Sequence, residues 1–288
     1  MIKKVLIISG ILLLFKSHAL AGFLDGISRH LDTLTATTAA VQKAARPISD
    51  EEEYYVGRAV AARILSTYPL LKDRKLTEYV NTIGILLTLQ SEKPYTHGGY
   101  HFAILDTDEM NAFACPGGII FITKGMLRAT SNEEELAAVL AHEIAHVNHR
   151  DGISSINTSR WTEAMTIIGS KAADHFSPKE LPKLTSIFEG SIDDIVKTLV
   201  VNGYGKSQEY SADKTALFLL AKSGYNATAL KDFLDRQAQN GKISEGGIMK
   251  THPGTSDRID NIKGDLLSVD CDAALIQKRT DRFIVSCR

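Results

Sequence analysis

Two histidines and one glutamate in the segment HEIAH are spaced as metal-binding and proton-accepting groups. His142 and His146 are four residues apart, so on a helix their imidazoles share one face and can ligate one zinc ion. Glu143 lies between them, where its carboxylate can take a proton from a water molecule on that metal. These side chains predict hydrolysis of a peptide bond with the help of a metal ion. The alternative is a chance match to this pattern on an ordinary helix.

The residues around this segment predict a helix. Ser131 precedes Glu134 with the spacing of a capping box, which is typical of a helix start. An apolar stripe at helical period follows, formed by Leu136, Leu140, Ile144 and Val147. The histidines fall on roughly the opposite face. We therefore expect the helix to bury one side and to turn its imidazoles toward a cleft.

A second predicted helix, in the segment GYGKSQEYSADKTALFLLAKSG, offers a third ligand. Ser207 can cap its start and Gly224 can end it. Glu209 would complete a His2Glu set and leave a fourth position for water. Asp213, four residues later, could accept the second N–H of a ligand imidazole. The alternative is an exposed acidic pair on a surface helix.

With HEIAH and the downstream EYSAD, the sequence resembles metallopeptidase family forty-eight, the gluzincin family of the CAAX prenyl protease, HtpX and BepA. Residues 110–127 contain NAFACPGG, which resembles the family's NAFxxPGG segment. Residues 251–260 contain HPGTSDR, which resembles its late HPxxxxR element. The chain departs from the family at Lys206-Ser207-Gln208, where Ser-Arg is common. That departure leaves the predicted ligands untouched and puts a nearby substrate contact in doubt.

The resemblance also implies how a substrate would bind. In the family, the strand beside the site is a sheet edge that pairs with an extended peptide through its backbone. This favours GIIFIT, residues 118–123, as that edge, with Asn111 and Ala112 next to it and holding the substrate main chain. The alternative is an interior strand whose hydrogen bonds are already used.

His252 and Arg258 are the remaining candidates for chemistry. Cleavage of an amide builds negative charge on the carbonyl oxygen, which a cationic or hydrogen-bonding side chain can stabilise. The turn after His252 could deliver it to the cleft. Arg258 could donate to the same oxygen, or pair with Asp213 or Glu209. Without the family motif, they would be a surface histidine and a structural arginine.

The N-terminus predicts export. Lys3 and Lys4 precede an apolar run over residues 5–15, which is too short to span a bilayer. Residues 1–21 therefore form a predicted signal peptide, cleaved after Ala21, and the expected location is the periplasm. The alternative is an uncleaved membrane anchor. No later stretch has the length of a transmembrane helix, so none is expected after signal removal.

Charge and cysteine content narrow the possible partners. The net charge of −1 does not indicate nucleic acid as a partner. An oxidising compartment permits disulfides, and Cys271 and Cys287 flank a short C-terminal segment that they could close. We expect that bridge, with Cys115 left as a reduced, buried thiol.

The predicted fold class is α+β, a mostly helical zincin-like (gluzincin) catalytic domain with a small sheet beside the HExxH helix. Strands are predicted over 100–106, 110–115 and 118–123. Besides the two helices already described, helices are predicted over 23–46, from Ser49 or Asp50, over 76–90, 192–201 and 226–239, and after Pro253. No repeat or low-complexity linker interrupts the chain, so residues 22–288 are expected to form a single domain.

The predicted function is that of an exported endopeptidase with one Zn2+ ion per chain. Its substrates would be exposed or misfolded polypeptides, including outer-membrane proteins, in quality control of the cell envelope. The alternative is an assembly factor or chaperone for envelope proteins with latent protease activity. A purely structural zinc domain conflicts with a ligand set that leaves one position open.

Overall fold

The structure is a computed structural model. It describes residues 47–156, 180–239, 251–252, 254–265 and 272–287. The predicted signal peptide, the helix predicted over 23–46 and Cys271 lie outside these ranges. Within them, no helix is both long and apolar enough to cross a lipid bilayer.

The described residues form a mostly helical α+β domain with one small sheet. The helices are α1 (Asp50–Leu65), α2 (Arg74–Thr88), α3 (Lys124–Ala129), α4 (Glu133–His149), α5 (Asp151–Ser154), α6 (Glu180–Lys197), α7 (Lys206–Lys222), α8 (Thr228–Gln239), α9 (Thr255–Ile262) and α10 (Ala273–Cys287). The strands are β1 (His101–Leu105), β2 (Ala112–Cys115) and β3 (Ile119–Thr123). A 3₁₀ turn, Pro116–Gly118, joins β2 to β3, and a π-helical segment, Thr198–Asn202, follows α6. The predicted fold class is confirmed.

The sheet has the strand order β1-β3-β2, which corrects the predicted role of the GIIFIT strand. β3 pairs in parallel with β1 and antiparallel with β2, so its hydrogen-bonding groups are used on both sides. The prediction that this strand is an open edge was wrong. A run of apolar residues is equally compatible with an edge strand and an interior one, and the position of β1 decides between them. β2 is instead the edge strand closest to the metal-ligand helix.

Helix α4 is buried on all sides. Every residue from Glu133 to Val147 is buried, so the helix buries more than the one side that was expected, while Val139, His142 and Glu143 line a small pocket. Alanines occupy the positions between the apolar stripe, and these are Ala137, Ala138, Ala141 and Ala145. These small side chains let neighbouring elements pack closely against the helix on several sides.

The starts of α4 and α7 differ from prediction by one or two residues. The N-cap of α4 is Asn132, whose side chain accepts a hydrogen bond from the Glu135 N–H. α7 begins after Gly205, with the Gln208 side chain accepting from its N–H, and Ser207 is not the cap. These shifts leave the predicted ligand positions on their helices unchanged.

The turn between β2 and β3 is held against α1. Gly117 has φ 75°, a conformation that favours glycine, and its N–H donates to Glu53 Oε1 at 3.2 Å. Gly57 of α1 packs against the backbone of Pro116, so closely that a Cβ at Gly57 would overlap the carbonyl oxygen. These contacts with α1 hold the turn in place, and the turn in turn positions β2 beside α4.

The last described element, α10, was not predicted. Sequence analysis treated the residues between Cys271 and Cys287 as a short segment. They instead include a helix of fifteen residues that buries Phe283 in the main core. The predicted bridge remains a prediction, because Cys271 lies outside the described residues. Cys115 is buried and forms no disulfide, as expected.

Candidate active site

Helices α4 and α7 bring the three predicted ligands together. The Nε2 atoms of His142 and His146, one turn apart on α4, lie 3.1 Å from each other. Glu209 on α7 reaches both, with carboxylate oxygens 3.5 Å from His142 Nε2 and 3.5 Å from His146 Nε2. All three side chains are buried. The His142–His146 pair on α4 and Glu209 on α7 therefore converge on one site, as the sequence predicts.

His252 lies among the same atoms. Its Nδ1 is 3.0 Å from Glu209 Oε1 and 3.2 Å from His142 Nε2. One ligating atom from each of His142, His146, Glu209 and His252 lies within 4.8 Å of the others. Sequence analysis predicted delivery of His252 to the site, for charge stabilisation. Its place among the ligating atoms was not foreseen.

The two predicted ligand imidazoles on α4 each have a carboxylate at the outer nitrogen. His142 Nδ1 lies 2.9 Å from Asp213 Oδ1, and His146 Nδ1 lies 2.7 Å from Asp151 Oδ2. A carboxylate accepts a hydrogen bond, so each ring holds its proton on Nδ1 and turns the Nε2 lone pair inward. Two inward lone pairs need a shared cation. Two imidazoles and a carboxylate are a donor set that zinc prefers, so these residues fit a zinc site.

The electrostatics of the cluster also favour a cation. Burial by itself would lower the pKa of His146, but Asp151 and Glu209 raise it to about 10. Burial would raise the pKa of Glu209, yet the imidazoles of His252, His142 and His146 hold it well below its usual range. The carboxylates therefore stabilise positive charge where the four ligating groups converge.

Asp151 is a functional residue that sequence analysis missed. Arg150 ends α4 in the left-handed conformation, with φ 58°, and this turns the chain so that Asp151 faces back toward His146. Gln208 donates to the other carboxylate oxygen of Asp151 at 3.1 Å. A separation of five residues from His146 is not a helical-face spacing. The contact between Asp151 and His146 could not be predicted from the sequence, because it depends on the left-handed backbone conformation of Arg150.

Asp213 and Arg258 form the outer layer on the side of His142. Arg258 donates to both carboxylate oxygens of Asp213, at 2.8 and 2.7 Å, and its Nη1 lies 3.2 Å from Glu209 Oε2. Burial would raise the pKa of Asp213, but Arg258 and His142 lower it to about 2. Of the two positions predicted for Arg258, the structure places it on the carboxylates.

Glu143 differs from the other acidic residues of the site. It is 1% exposed, and neither carboxylate oxygen has a hydrogen-bond partner among the described residues. The contact with His252 Nε2, at 3.6 Å, is too long for a hydrogen bond. A buried carboxylate without partners is costly, and it is what a base that must receive a proton from a bound reactant requires.

Asn111 and Ala112 lie at the start of the edge strand, but part of their hydrogen-bonding capacity is used internally. The Asn111 side-chain oxygen accepts from the Ala112 N–H at 2.9 Å and from Thr251 Oγ1 at 3.1 Å. This ties β2 to the residue before His252. The Ala112 N–H is therefore not free to bind a substrate. Only part of the contact predicted between Asn111, Ala112 and the substrate main chain can form.

Tyr204 is a second residue that sequence analysis missed. Its ring stacks on His146 with centroids 4.2 Å apart and an angle of 27°. Its N–H donates to the Thr251 carbonyl oxygen at 3.1 Å. Tyr204 therefore holds the His146 ring from one face while Asp151 fixes its outer nitrogen.

The fold and this cluster define a metallopeptidase, in which metal-ligating groups from two helices and His252 converge beside an unpartnered carboxylate. Comparison with known families agrees, because residues 71–265 match the model of peptidase family M48. This is more than half of the chain, and the protein belongs to that family.

Curated proteins that this chain resembles are named as proteases. The chain is 28% identical over 222 residues to the beta-barrel assembly-enhancing protease of Yersinia pestis, covering 75% of this chain and 44% of the relative. It is 27% identical over 218 residues to the same-named protein of Escherichia coli, covering 74% and 43%. A protease HtpX homolog of Salinibacter ruber is 26% identical over 180 residues, covering 54% and 64%. The chain thus spans less than half the length of the first two relatives.

Proposed function

We propose that this metallopeptidase is a zinc-dependent endopeptidase, exported to the periplasm, that cleaves exposed or misfolded polypeptides of the cell envelope. The observation that carries the proposal is the position of Glu143. It is a buried carboxylate with no hydrogen-bond partner among the described residues, and it lies beside four convergent ligating groups. That arrangement suits peptide hydrolysis and serves no evident structural purpose.

His142, His146 and Glu209 would hold the zinc ion. Bound there, zinc would polarise the carbonyl of the scissile bond and lower the pKa of water. Glu143 takes the proton of the attacking water and passes it to the leaving nitrogen as the C–N bond breaks, so the proton is conserved and no other acid is needed. Asp213 and Asp151 keep the two imidazoles oriented throughout.

We assign the stabilisation of negative charge on the carbonyl oxygen to His252 rather than Arg258. The Nε2 atom of His252 lies on the side of Glu143, 3.6 Å from its Oε1. Arg258 is engaged by both oxygens of Asp213 and by Glu209. It therefore acts as a positioning residue that keeps Asp213 and Glu209 charged.

The substrate would pair with β2, the edge strand, instead of β3. In the antiparallel register, Asn111 pairs through hydrogen bonds with Thr123, so the backbone groups of Ala112 and Ala114 point away from β3. The Ala112 carbonyl and both backbone groups of Ala114 remain for an extended peptide. Among the described residues, no strand pairs with this side of β2.

The setting in the cell envelope rests on two supports. One is the predicted signal peptide over residues 1–21. The other is the likeness to relatives whose names describe the enhancement of beta-barrel assembly. Because the site is almost fully buried, with His142, Glu143, His146, Glu209 and His252 each 3% exposed or less, an assembly factor or chaperone with latent protease activity is the second candidate.

Purified protein, loaded with zinc, should cleave unfolded casein, and chelation should stop the cleavage. The Glu143→Gln variant should bind one zinc per chain and lose most activity, whereas Gln239→Leu, an exposed change on α8, should behave as the unmodified protein. Zinc-loaded protein that leaves casein intact but prevents aggregation of an unfolded outer-membrane protein would favour the second candidate.

A further inference from the structure

Two turns of the backbone lie beside the candidate site, and one buried carboxylate contacts both of them. The first turn, Pro116–Gly118, follows the edge strand β2. The second turn, at Arg150, ends α4 and directs Asp151 to the outer nitrogen of His146. The carboxylate belongs to Glu53 of α1, whose side chain is 1% exposed. A contact common to both turns can fix β2 relative to the metal-ligating residues.

Each carboxylate oxygen of Glu53 serves a different turn. Oε1 accepts from the Gly117 N–H at 3.2 Å. Oε2 lies 2.9 Å from Arg150 Nη2 and 3.1 Å from Lys93 Nζ. Two cations therefore compensate a buried charge that would otherwise be costly. One side chain thus holds the turn after β2 with one oxygen and the end of α4 with the other.

The ion pair with Glu53 acts on a residue whose backbone conformation is unfavourable. Arg150 has φ 58° and ψ 34°, and it is the one non-glycine residue with a positive φ in the part of the chain that the structure describes. A side chain with a Cβ disfavours this conformation, so surrounding contacts have to maintain it. The Arg150 guanidinium supplies them, because Nη1 donates to the Ile48 carbonyl oxygen at 2.8 Å while Nη2 pairs with Glu53. Loss of these contacts would release the turn that presents Asp151 to the metal ligand.

Asp50 pairs with the same two cations, but it is less suited to this role. It forms ion pairs with Arg150 and Lys93. Its side chain is 59% exposed, so water screens these pairs and they contribute little. Glu53 is shielded from water and also accepts from Gly117. The buried glutamate is therefore the group that can join the two turns.

We infer that Glu53 is a positioning residue that couples β2 to the metal ligand His146. It holds the turn after β2 directly, and it orients His146 through Arg150 and Asp151. This inference rests on the proposed function, because it takes β2 as the strand that pairs with the cleaved polypeptide. Hydrolysis requires the scissile carbonyl to lie accurately against the metal and Glu143, and a misplacement of about 1 Å can lower the rate by about 10²-fold. A single carboxylate that anchors both sides keeps the peptide and the metal ligand in register.

The link to His146 is tested by zinc affinity in the absence of substrate. Glu53→Gln keeps the shape of the side chain, but its one acceptor oxygen cannot serve both turns. Zinc should bind about 3- to 10-fold more weakly, a smaller loss than for Asp151→Ala, because Glu53 acts one step further from the metal. The double variant should bind zinc as weakly as Asp151→Ala alone, because the first change acts through the residue that the second removes. Competition with a chelator of known affinity gives these values. Full affinity in Glu53→Gln, or additive losses in the double variant, would overturn the coupling.

Two further variants make this result specific. Glu51→Gln makes the same chemical change on α1 at a partly exposed position, and should leave zinc affinity unchanged. Arg150→Gly cuts the link from the other side. Glycine adopts a positive φ without strain, so a loss of zinc affinity there reports the missing ion pair. The loss should match that of Glu53→Gln, and unchanged affinity would overturn the coupling.

Thermal melting shows whether each variant is folded. If Glu53→Gln does not fold, Arg150→Gly takes its place, measured with and without Asp151→Ala. The side chain of Arg150 is 31% exposed, so its removal disturbs the core less than a change at Glu53. The same comparison of single and double variants then decides the outcome.

The link to β2 is tested by peptide cleavage at saturating zinc. Glu53→Gln should lower kcat by about 10-fold and change KM by less than about 2-fold, since the peptide still pairs with β2 but is held less accurately against the metal. Glu51→Gln should change neither constant. A loss confined to KM, or no loss at all, would overturn the link between Glu53 and the substrate strand.

The outcomes separate this inference from the proposed function. Protein whose zinc affinities are non-additive but which leaves casein intact contradicts the endopeptidase activity and retains the link from Glu53 to His146. Protein that cleaves casein but shows additive losses of zinc affinity retains the activity and overturns the coupling.

Discussion

The two ends of helix α4 bury similar charges in opposite ways. At the N-terminal end, Glu133 accepts from the hydroxyls of Tyr79 and Tyr225, at 2.8 and 3.0 Å, and from Arg282 Nε at 2.7 Å. Ten residues further along the helix, toward its C-terminal end, Glu143 is equally buried and neither of its oxygens has a hydrogen-bond partner among the described residues. The same residue type on the same helix is saturated with partners at one end and has none at the other.

The adjacent Glu134 extends the contrast. One of its oxygens accepts from Arg279 at 2.9 Å, and the other accepts from the Asn226 N–H at 2.7 Å. Arg279 also lies 4.2 Å above the Tyr225 ring and donates to the Gly224 carbonyl oxygen. The N-terminal glutamates thus fasten α10 and the start of α8 to α4, and the helix dipole favours their charge. Saturated buried charge serves structure, whereas unpartnered buried charge indicates a reactant still to come.

The largest effect should come from removing the unpartnered charge. Glu143→Gln should lower kcat by about 10²- to 10⁴-fold, because the amide cannot take a proton from water. Zinc content should stay at one per chain, since Glu143 is not among the ligating groups. Steady-state cleavage of a peptide, with the metal measured in the same samples, checks this. A zinc-loaded variant with near-normal kcat would show that another group is the base.

Removal of Glu134, whose two carboxylate oxygens both accept hydrogen bonds, should lower the stability of the fold rather than the activity. Glu134→Ala leaves Arg279 buried without its partner, and breaking such a pair costs about 3–5 kcal/mol in the free energy of unfolding. The residual activity per folded molecule should change little. Chemical denaturation of the zinc-loaded protein measures the loss.

Glu78→Ala is the matched control for that variant. Glu78 pairs with Arg74 across one turn of α2, with both side chains largely exposed, and such surface pairs contribute little to stability. If the two variants were equally destabilised, the Glu134–Arg279 pair would not hold α10 in the way the geometry indicates.

A smaller effect is expected from changing Asp151, the carboxylate that accepts a hydrogen bond from His146. Asp151→Ala removes the acceptor that orients His146 and should weaken zinc affinity by about 10- to 100-fold. Competition with a chelator of known affinity measures this. Asp151→Glu should recover part of the affinity if the carboxylate is what matters. Full affinity in the alanine variant would leave Tyr204 as the group that positions the ring.

Much of the site was predictable because it depends on helical spacing. His142, His146, Glu209 and Asp213 lie where the i, i+4 pattern on two helices places them. The helices themselves follow from local signals, namely caps, apolar period and Gly224. A ligand set that consists of residues one turn apart can be read directly from a sequence.

The remaining parts depend on how elements pack, which local patterns do not encode. Asp151 reaches His146 only because Arg150 adopts a left-handed conformation. His252 joins the ligating atoms because α9 packs beside α7, and β3 is interior because β1 pairs with its free side.

The last prediction concerns Asp213, a paired carboxylate beside the metal-ligating residues, and the pH dependence of the stability that it contributes. Its pKa in the folded protein, about 2, lies below the ordinary value of 3.8 because Arg258 and His142 stabilise the charge against burial. A lowered folded-state pKa contributes stability that is complete above the ordinary value and is lost as the pH falls through the folded value. In metal-free protein, the stability advantage of the native chain over Asp213→Asn should therefore shrink by about 1–2 kcal/mol between pH 4 and pH 2. Urea denaturation of both proteins at each pH measures this difference, and an advantage that is constant across the interval would mean that Asp213 owes little of its stability to its charged partners.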